Sequence, residues 1–80
     1  MARGEVRWFS KAKGFGFIRP EYGPKDVFVH ASAVRRAGLS TLLTGQRLEF
    51  ELTQLRDGRV AALGLLPLDG DSGGSAQSMV

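Results

Sequence analysis

The hydrophobic and polar positions of this chain alternate with a period of two along most of its length. The segments EVRWFS and GFGFIR are short, rich in β-formers, and end at the turn-forming stretches KAKG and PEYGPK. DVFVH follows the same pattern, and QRLEFELTQL places Leu48, Phe50 and Leu52 on one face with polar residues on the other. The dipeptide Asp57-Gly58 suits a two-residue hairpin turn into RVAALGLL. The pattern therefore predicts five short strands.

A single short helix is predicted between the third and fourth strands. ASAVRRAGLSTLLTG has room for one helical turn, with Ser32 as its cap and Gly38 as its stop, before an irregular connection. No full amphipathic helix fits there, so no helix is long enough to cover a sheet. Five strands without such a helix favour an all-β fold, a small antiparallel barrel that is closed or nearly closed. We predict that residues 1–67 form this domain and that the Gly/Ser-rich residues 68–80 form a disordered tail.

Two of the predicted strands are apolar on both faces. Phe15 and Phe17 point to one side of the second strand, and Phe28 and His30 share one side of the third. A strand of a small barrel has one inner face, and smaller aliphatic side chains already fit it: Val6, Ile18, Val27 and Val29. Although phenylalanines are usually buried, we therefore expect these rings outside, in an apolar patch of the kind that monomers rarely expose without using it.

The first strand adds two more aromatic residues, Trp8 and Phe9, beside this patch. Strict alternation cannot place both on one face, so both can take part only if the strand contains a bulge or a strong twist. Gly14 and Gly16 alternate with the phenylalanines of the second strand. They either leave the backbone beside the rings open to a ligand or serve to curve the barrel, and these two interpretations do not conflict.

Composition and charge limit the classes of ligand that this surface can bind. The 80-residue chain has no cysteine, which excludes disulfides and thiolate metal sites, and its net charge of +3 is unevenly placed. Residues 1–36 hold eight basic and three acidic residues, whereas the remainder holds three basic and five acidic residues. Unpaired nucleobases stack on aromatic rings for about 1 to 3 kcal/mol each while cations contact the phosphates, and bases inside a duplex cannot reach the rings. The residues therefore predict a partner among single-stranded nucleic acids.

The motifs KGFGFI and DVFVH, in this order and spacing, resemble the two ribonucleoprotein motifs of the cold shock domain family. The resemblance runs from about Gly4 to Leu65 and includes VRWFS, YGPKDVFVHASAV and LLTGQRLEF. It implies a five-stranded oligonucleotide/oligosaccharide-binding (OB) barrel that binds single-stranded RNA and DNA. The family's activity as RNA chaperone, with transcription antitermination or a role in the cold and stress response, is implied in the same way. The family's contact positions fall on Arg7, Trp8, Phe9, Lys13, Phe15, Phe17, Phe28 and His30.

The chain departs from the family pattern at two positions. Ala31 stands where many members carry a further aromatic residue, and Leu39 stands where they carry Phe or Tyr. If each missing ring contributes about 1 kcal/mol, the affinity for a single strand is tens-fold weaker than in an all-aromatic relative. Arg7 stands where lysine is common and adds a planar group that can itself stack.

Other functional classes find less support in the sequence. His30 is the only histidine, and no acidic residue has a partner at metal-ligand spacing, so we expect no enzyme, metal or cofactor. For Asp26 we favour a turn cap over a base-edge acceptor. An RNA recognition motif would need the reverse motif order and two helices, and a dinucleotide loop would need a third glycine at Arg19.

A binding site for another protein, or a homodimer closed by the aromatic face, is the alternative function. A protein interface tends to lack charge at its core and has no evident need for a rim of Lys and Arg, so the salt dependence of binding distinguishes the two. We expect a cytoplasmic protein without membrane contact or a small-molecule substrate, because no apolar run reaches the length of a signal peptide or a membrane span. We expect a monomer, with a strand-swapped dimer as the alternative. The sequence leaves open whether RNA or DNA is the ligand.

Overall fold

Five strands and one short helix make up the described part of the chain. A computed structural model describes residues 1–23 and 25–68. In chain order the elements are β1 (Ala2–Ser10), β2 (Phe15–Pro20), β3 (Val27–His30), α1 (Ala31–Arg36), β4 (Arg47–Gln54) and β5 (Val60–Pro67). Of the predicted tail, only Leu68 is described, and its N–H donates to the carbonyl of Arg47 at 2.9 Å. The rest of the tail, residues 69–80, lies outside the described residues.

The strands close into a barrel in the order β1-β2-β3-β5-β4, with β4 returning to pair with β1. The predicted all-β barrel is therefore confirmed. Four of its pairings are antiparallel, as predicted, and the fifth is a short parallel contact between β3 and β5 in which Phe28 is opposite Ala61. This contact brings the end of the β4–β5 hairpin beside the outer face of β3.

The core fills the inside of this barrel with aliphatic side chains and one phenylalanine, Phe50. The four residues predicted to point inward are at most 4% exposed, and Leu48 and Phe50 are fully buried with them. Two residues of α1, Ala33 and Val34, belong to the same cluster. Burial of these side chains is the main stabilising term, since each Val, Leu, Ile or Phe contributes about 1.5 to 3 kcal/mol on removal from water.

The prediction that Leu52 shares the buried face of β4 is wrong, because this side chain is 54% exposed. β1 pairs with β4 only as far as the pair Ala2 and Phe50. Beyond Phe50, β4 extends past the start of β1 and pairs with β5 alone. Leu52 therefore has no neighbour on that side to cover it.

The β4–β5 hairpin turns through three residues rather than the predicted two. Leu55 and Arg59 close it with a backbone hydrogen bond of 2.7 Å, and the N–H of Gly58 donates to the carbonyl of Leu55. Gly58 has a φ of 91°, the left-handed conformation that completes a three-residue loop of this type. Asp57 and Gly58 lie in the turn as predicted, but the loop includes Arg56 as well.

The helix α1 begins at the residue directly after β3, so His30 is its N-cap and the prediction of Ser32 as cap is wrong. The predicted stop at Gly38 is confirmed. Gly38 has a φ of 80°. Its N–H donates to the carbonyl of Arg35, and the N–H of Leu39 donates to the carbonyl of Val34. These two bonds form a Schellman motif, which satisfies carbonyls at the helix end.

Candidate nucleic-acid interface

The predicted aromatic side chains meet on the outer surface of β1, β2 and β3. Trp8 is opposite Phe17 across the β1–β2 pair, Phe17 is opposite Phe28, and Phe15 is opposite His30. Side chains at opposite positions of neighbouring strands point to the same face. We call this surface the aromatic platform, and it consists of Trp8, Phe15, Phe17, Phe28 and His30. The prediction that these rings lie outside the barrel is confirmed.

The rings of the platform are in mutual contact. The ring centroids of Trp8 lie 5.6 Å from Phe15 and 5.4 Å from Phe17, both edge to face. Phe15 and Phe28 are stacked at 5.6 Å with an interplanar angle of 27°. Trp8 is 39% exposed and the phenylalanines are half-buried against one another, so the platform is held in place before any ligand arrives.

A bulge in β1 puts Trp8 on the platform. Val6 is opposite Ile18 and Trp8 is opposite Phe17, so two steps along β1 match one step along β2 and Arg7 is the extra residue. In a regular strand Val6 and Trp8 share a face, and the bulge separates them so that Val6 points into the core while Trp8 points outward. The sequence analysis required a bulge or a strong twist in this strand only if Trp8 and Phe9 shared a face, and the observed bulge at Arg7 instead separates Val6 from Trp8.

Phe9 lies apart from the platform. It is opposite Gly16 on the other face of β1 and packs against the core cluster. Its ring contributes to a hollow of about 390 Å³, and the other residues that line it are Lys11, Ala31, Val34, Arg35, Leu39 and Ser40. Ala31 and Leu39, the two positions at which the sequence departs from the pattern that it resembles, both line this hollow. A contact of Phe9 with nucleic acid stays a prediction.

Gly16 is required by the close approach of β1. A Cβ at Gly16 would lie 2.3 Å from the carbonyl oxygen of Trp8 and 2.7 Å from the Cα of Phe9. At Gly14 a Cβ meets nothing within 4 Å, but the φ of 82° lies in the left-handed region. Of these two glycines, Gly16 therefore serves strand contact, and Gly14 serves the turn that enters β2.

The two residues predicted to contact phosphate, Arg7 and Lys13, lie in different surroundings. The Nε of Arg7 donates to Asp26 and lies 3.0 Å from Oδ1 and 2.8 Å from Oδ2. Asp26 thus pairs with the cation that the sequence assigned to phosphate, a role different from both of its predicted ones. Both side chains are largely exposed, so the pair is weak and exchangeable. Lys13 is exposed in the turn between β1 and β2, where its backbone N–H donates to the Oγ of Ser10.

His30 connects the platform to α1. Its ring lies 6.4 Å from that of Phe28, and its Nδ1 accepts the backbone N–H of Ser32 at 3.1 Å. The Oγ of Ser32 is 2.9 Å from the same nitrogen. Because Nδ1 is the acceptor, the neutral ring carries its proton on Nε2, which is then a donor available to a ligand.

Arg59, which the sequence interpretation did not select, is part of the same surface. Its guanidinium carbon lies 4.6 Å from the centroid of the Phe28 ring, a cation–π contact. The N–H of Arg59 donates to Oδ1 of Asp57 at 3.0 Å, and its Nε donates to Oδ2 at 2.7 Å. These hydrogen bonds and the positive charge of Arg59 lower the pKa of Asp57 below the ordinary value of an aspartate. The carboxylate is therefore ionised at neutral pH and fixes the arginine.

Two further observations limit the chemistry of the described residues. Within residues 1–23 and 25–68 no group of three His, Cys, Asp or Glu side chains is placed to hold a metal ion. The one helix described there is too short to cross a membrane.

Comparison with known proteins gives one consistent family. A model of the "'Cold-shock' DNA-binding domain" matches residues 2–66. The chain is 57% identical over 60 residues to the cold shock-like protein CspE of Escherichia coli K12, covering 75% of this chain and 87% of that protein. It is 54% identical over 63 residues to the probable cold shock protein y4cH of Sinorhizobium fredii, covering 78% and 91%. It is 52% identical over 59 residues to the cold shock-like protein CspC of Shigella flexneri, covering 74% and 86%.

Proposed function

The chain belongs to the cold-shock DNA-binding domain family and is a nucleic-acid-binding protein with an OB fold, and from this premise we propose that it binds unpaired strands of RNA and DNA as an RNA chaperone. The proposal includes the finer roles implied by the family, transcription antitermination and regulation in the cold or stress response. The nucleic-acid contacts proposed are those predicted from the sequence: Arg7, Trp8, Phe9, Lys13, Phe15, Phe17, Phe28 and His30.

The observation that carries the proposal is the outward-facing aromatic platform. Trp8, Phe15, Phe17 and Phe28 lie in a continuous layer with neighbouring ring centroids 5.4 to 6.2 Å apart. A base stacks on such a ring only when its own faces are free of neighbours, as in an unpaired strand. The platform therefore selects single strands by the accessibility of their bases and needs no sequence code.

Cations near the platform supply the second part of the binding. Lys13 is exposed at the entry to β2, and Arg7 at the bulge exchanges its weak pair with Asp26 for a phosphate. Each phosphate neutralised on a single strand gives a slope of about −0.7 in a plot of log affinity against log salt. This dependence distinguishes nucleic-acid binding from an apolar protein interface on the same face.

The mechanism needs no nucleotide hydrolysis. Because the protein binds open RNA and not paired RNA, it shifts the folding equilibrium of the RNA towards open forms by mass action. The shift depends on the ratio of free protein to the dissociation constant. We propose that one barrel covers about half a dozen nucleotides, within the usual range for one OB fold. A non-enzymatic, monomeric and cytoplasmic protein is part of the same proposal.

The test follows the fluorescence of Trp8, the only tryptophan of the chain. The protein is titrated with a short pyrimidine-rich single strand and with its duplex form at two salt concentrations. We expect quenching by the single strand, weakened at higher salt, and little change with the duplex. Equal binding of the duplex contradicts the selection of single strands. No response to either ligand contradicts nucleic-acid binding at the platform and brings the protein-binding alternative forward.

A further inference from the structure

The guanidinium of Arg59 covers the ring of Phe28 at the side of the platform next to the β4–β5 hairpin. Its central carbon is 4.6 Å from the ring centroid. A guanidinium is planar and stacks on aromatic faces and on bases, in addition to carrying a charge. The outer face of the guanidinium is therefore a further plane on which a base can stack, next to the rings of the platform.

The hairpin tip holds the guanidinium in position. Asp57 binds both the backbone N–H and the Nε of Arg59, at 3.0 and 2.7 Å. These contacts leave the terminal NH₂ groups without a hydrogen-bond partner among residues 1–23 and 25–68. A group that is fixed before binding loses less conformational freedom when the ligand arrives. The free NH₂ groups are donors of the kind that bind base edges and phosphate oxygens.

A groove next to Arg59 gives a base room to enter. It has a volume of about 610 Å³ and runs between the loop after β2 and the hairpin tip. Phe17 and Phe28 of the platform line it, together with Val60 on the hairpin side. Lys25 lines it as well and is exposed. The groove thus continues the platform with a largely apolar lining, and two cationic side chains, Lys25 and Arg59, and two acidic ones, Asp26 and Asp57, line it as well.

We propose that Arg59 is a nucleotide-binding residue: its guanidinium, packed on the ring of Phe28, extends the platform, and a base stacks on the outer face of the guanidinium. The inference rests on the proposed function, since it assumes an unpaired strand on the platform. It adds a contact from the acidic half of the sequence. It also makes the effects of Phe28 and Arg59 on affinity interdependent.

The test uses the full chain and the fluorescence titration with a short pyrimidine-rich single strand. The variants are Arg59→Ala, Arg59→Lys and, as the matched control, Arg56→Ala, which removes the same charge from the same loop. Arg56 is exposed and makes no side-chain hydrogen bond or cation–π contact within the described residues. We expect Arg59→Ala to weaken binding about 3- to 10-fold, from the loss of one stacking contact, and Arg56→Ala to change it less than about 2-fold. Arg59→Lys keeps the charge but not the plane, and we expect it to bind more weakly than the wild type.

A double-mutant cycle with Phe28→Ala tests this arrangement directly. We expect Phe28→Ala to cost less affinity when Arg59 is already alanine, because part of the effect of Phe28 is its support of the guanidinium on which the base stacks. Thermal unfolding of each variant confirms that it is folded. Independent effects, equal affinities of Arg59→Lys and the wild type, or tighter binding by Arg59→Ala each overturn the proposal. A wild type that does not bind the single strand contradicts the proposed function itself, so the two failures are distinguishable.

Discussion

The Nδ1 of His30 accepts the backbone N–H of Ser32 at 3.1 Å, so a side chain of the aromatic platform is also the N-cap of α1. The relationship follows from the chain path, because α1 begins at the residue after β3. The cap uses Nδ1, whereas the proposed contact with nucleic acid uses the ring, so a substitution can separate stability from binding.

The substitution that separates them is His30→Asn. Asparagine is a preferred N-cap, so we expect the free energy of unfolding of His30→Asn to lie within about 0.5 kcal/mol of the wild-type value. For His30→Ala we expect this free energy to fall by about 0.5 to 2 kcal/mol. Both variants lose the ring, and we expect both to bind a single strand about 5-fold more weakly or worse. Urea unfolding and the fluorescence titration measure the two effects. If His30→Asn is as unstable as His30→Ala, the cap does not stabilise α1.

Phe17 is the platform residue with contacts on both sides, opposite Trp8 in β1 and Phe28 in β3. We expect Phe17→Ala to weaken single-strand binding by about 1 to 3 kcal/mol, which corresponds to about 5- to 150-fold. Leu66→Ala is the control, since Leu66 is an exposed apolar residue of β5 outside the platform. A loss of affinity as large for Leu66→Ala as for Phe17→Ala would show that the effect is not specific to the platform.

Gly16 allows β1 and β2 to approach closely beneath the rings. In Gly16→Ala the new Cβ would lie 2.3 Å from a backbone oxygen, so the two strands must separate. We expect a loss of about 1 to 3 kcal/mol in the free energy of unfolding, in the range of overpacked sites. Gly14→Asn is the control because the space there is open and asparagine tolerates positive φ, so we expect a smaller loss. Denaturant unfolding of both variants measures the difference, and equal losses would contradict the steric explanation.

Asp57 gives the stability of the hairpin tip a pH dependence. Its pKa is lowered in the folded protein, first by the hydrogen bond from the Arg59 backbone N–H and then by the Arg59 side chain. The carboxylate therefore stabilises the folded state above the pKa that it has in the unfolded chain, about 3.9, and this contribution is lost as the pH falls through the folded pKa. We expect Asp57→Asn to show a smaller loss of stability than the wild type between pH 7 and pH 3.

The measurement is urea unfolding of both proteins at the two pH values. The expected difference is small, because Asp57 and Arg59 are both exposed and solvent screens the pair. A pH dependence that is identical in the two proteins would show that the carboxylate does not stabilise the tip.

The faces of β2 and β3 could be predicted from the sequence because each residue's face follows from strict alternation. Ile18 and Val29 point inward, and Phe15, Phe17 and Phe28 point outward. The outward position of Trp8 was predicted, but the bulge at Arg7 that produces it was not, because the alternation of residues in β1 does not show where an extra residue lies.

Other features depend on contacts between distant segments, and local pattern could not predict them. The exposure of Leu52 follows from the point at which β1 stops pairing with β4. The position of Arg59 over Phe28 requires the parallel contact between β3 and β5. In the sequence Arg59 belongs to residues 37–80, the part with a net negative charge. In the closed barrel it lies beside the aromatic platform, whose residues come from the positively charged residues 1–36.

That parallel contact has a consequence for how the barrel opens. β3 and β5 meet in register at one pair, Phe28 and Ala61, whereas β1 and β2 are matched at six positions. We therefore expect transient opening to start along this short contact, with amide hydrogens on either side of it exchanging with solvent before those of β1 and β2. Because Phe28 belongs to both this contact and the platform, we expect a single strand bound in the proposed way across Phe28 and Arg59 to slow the opening of the barrel.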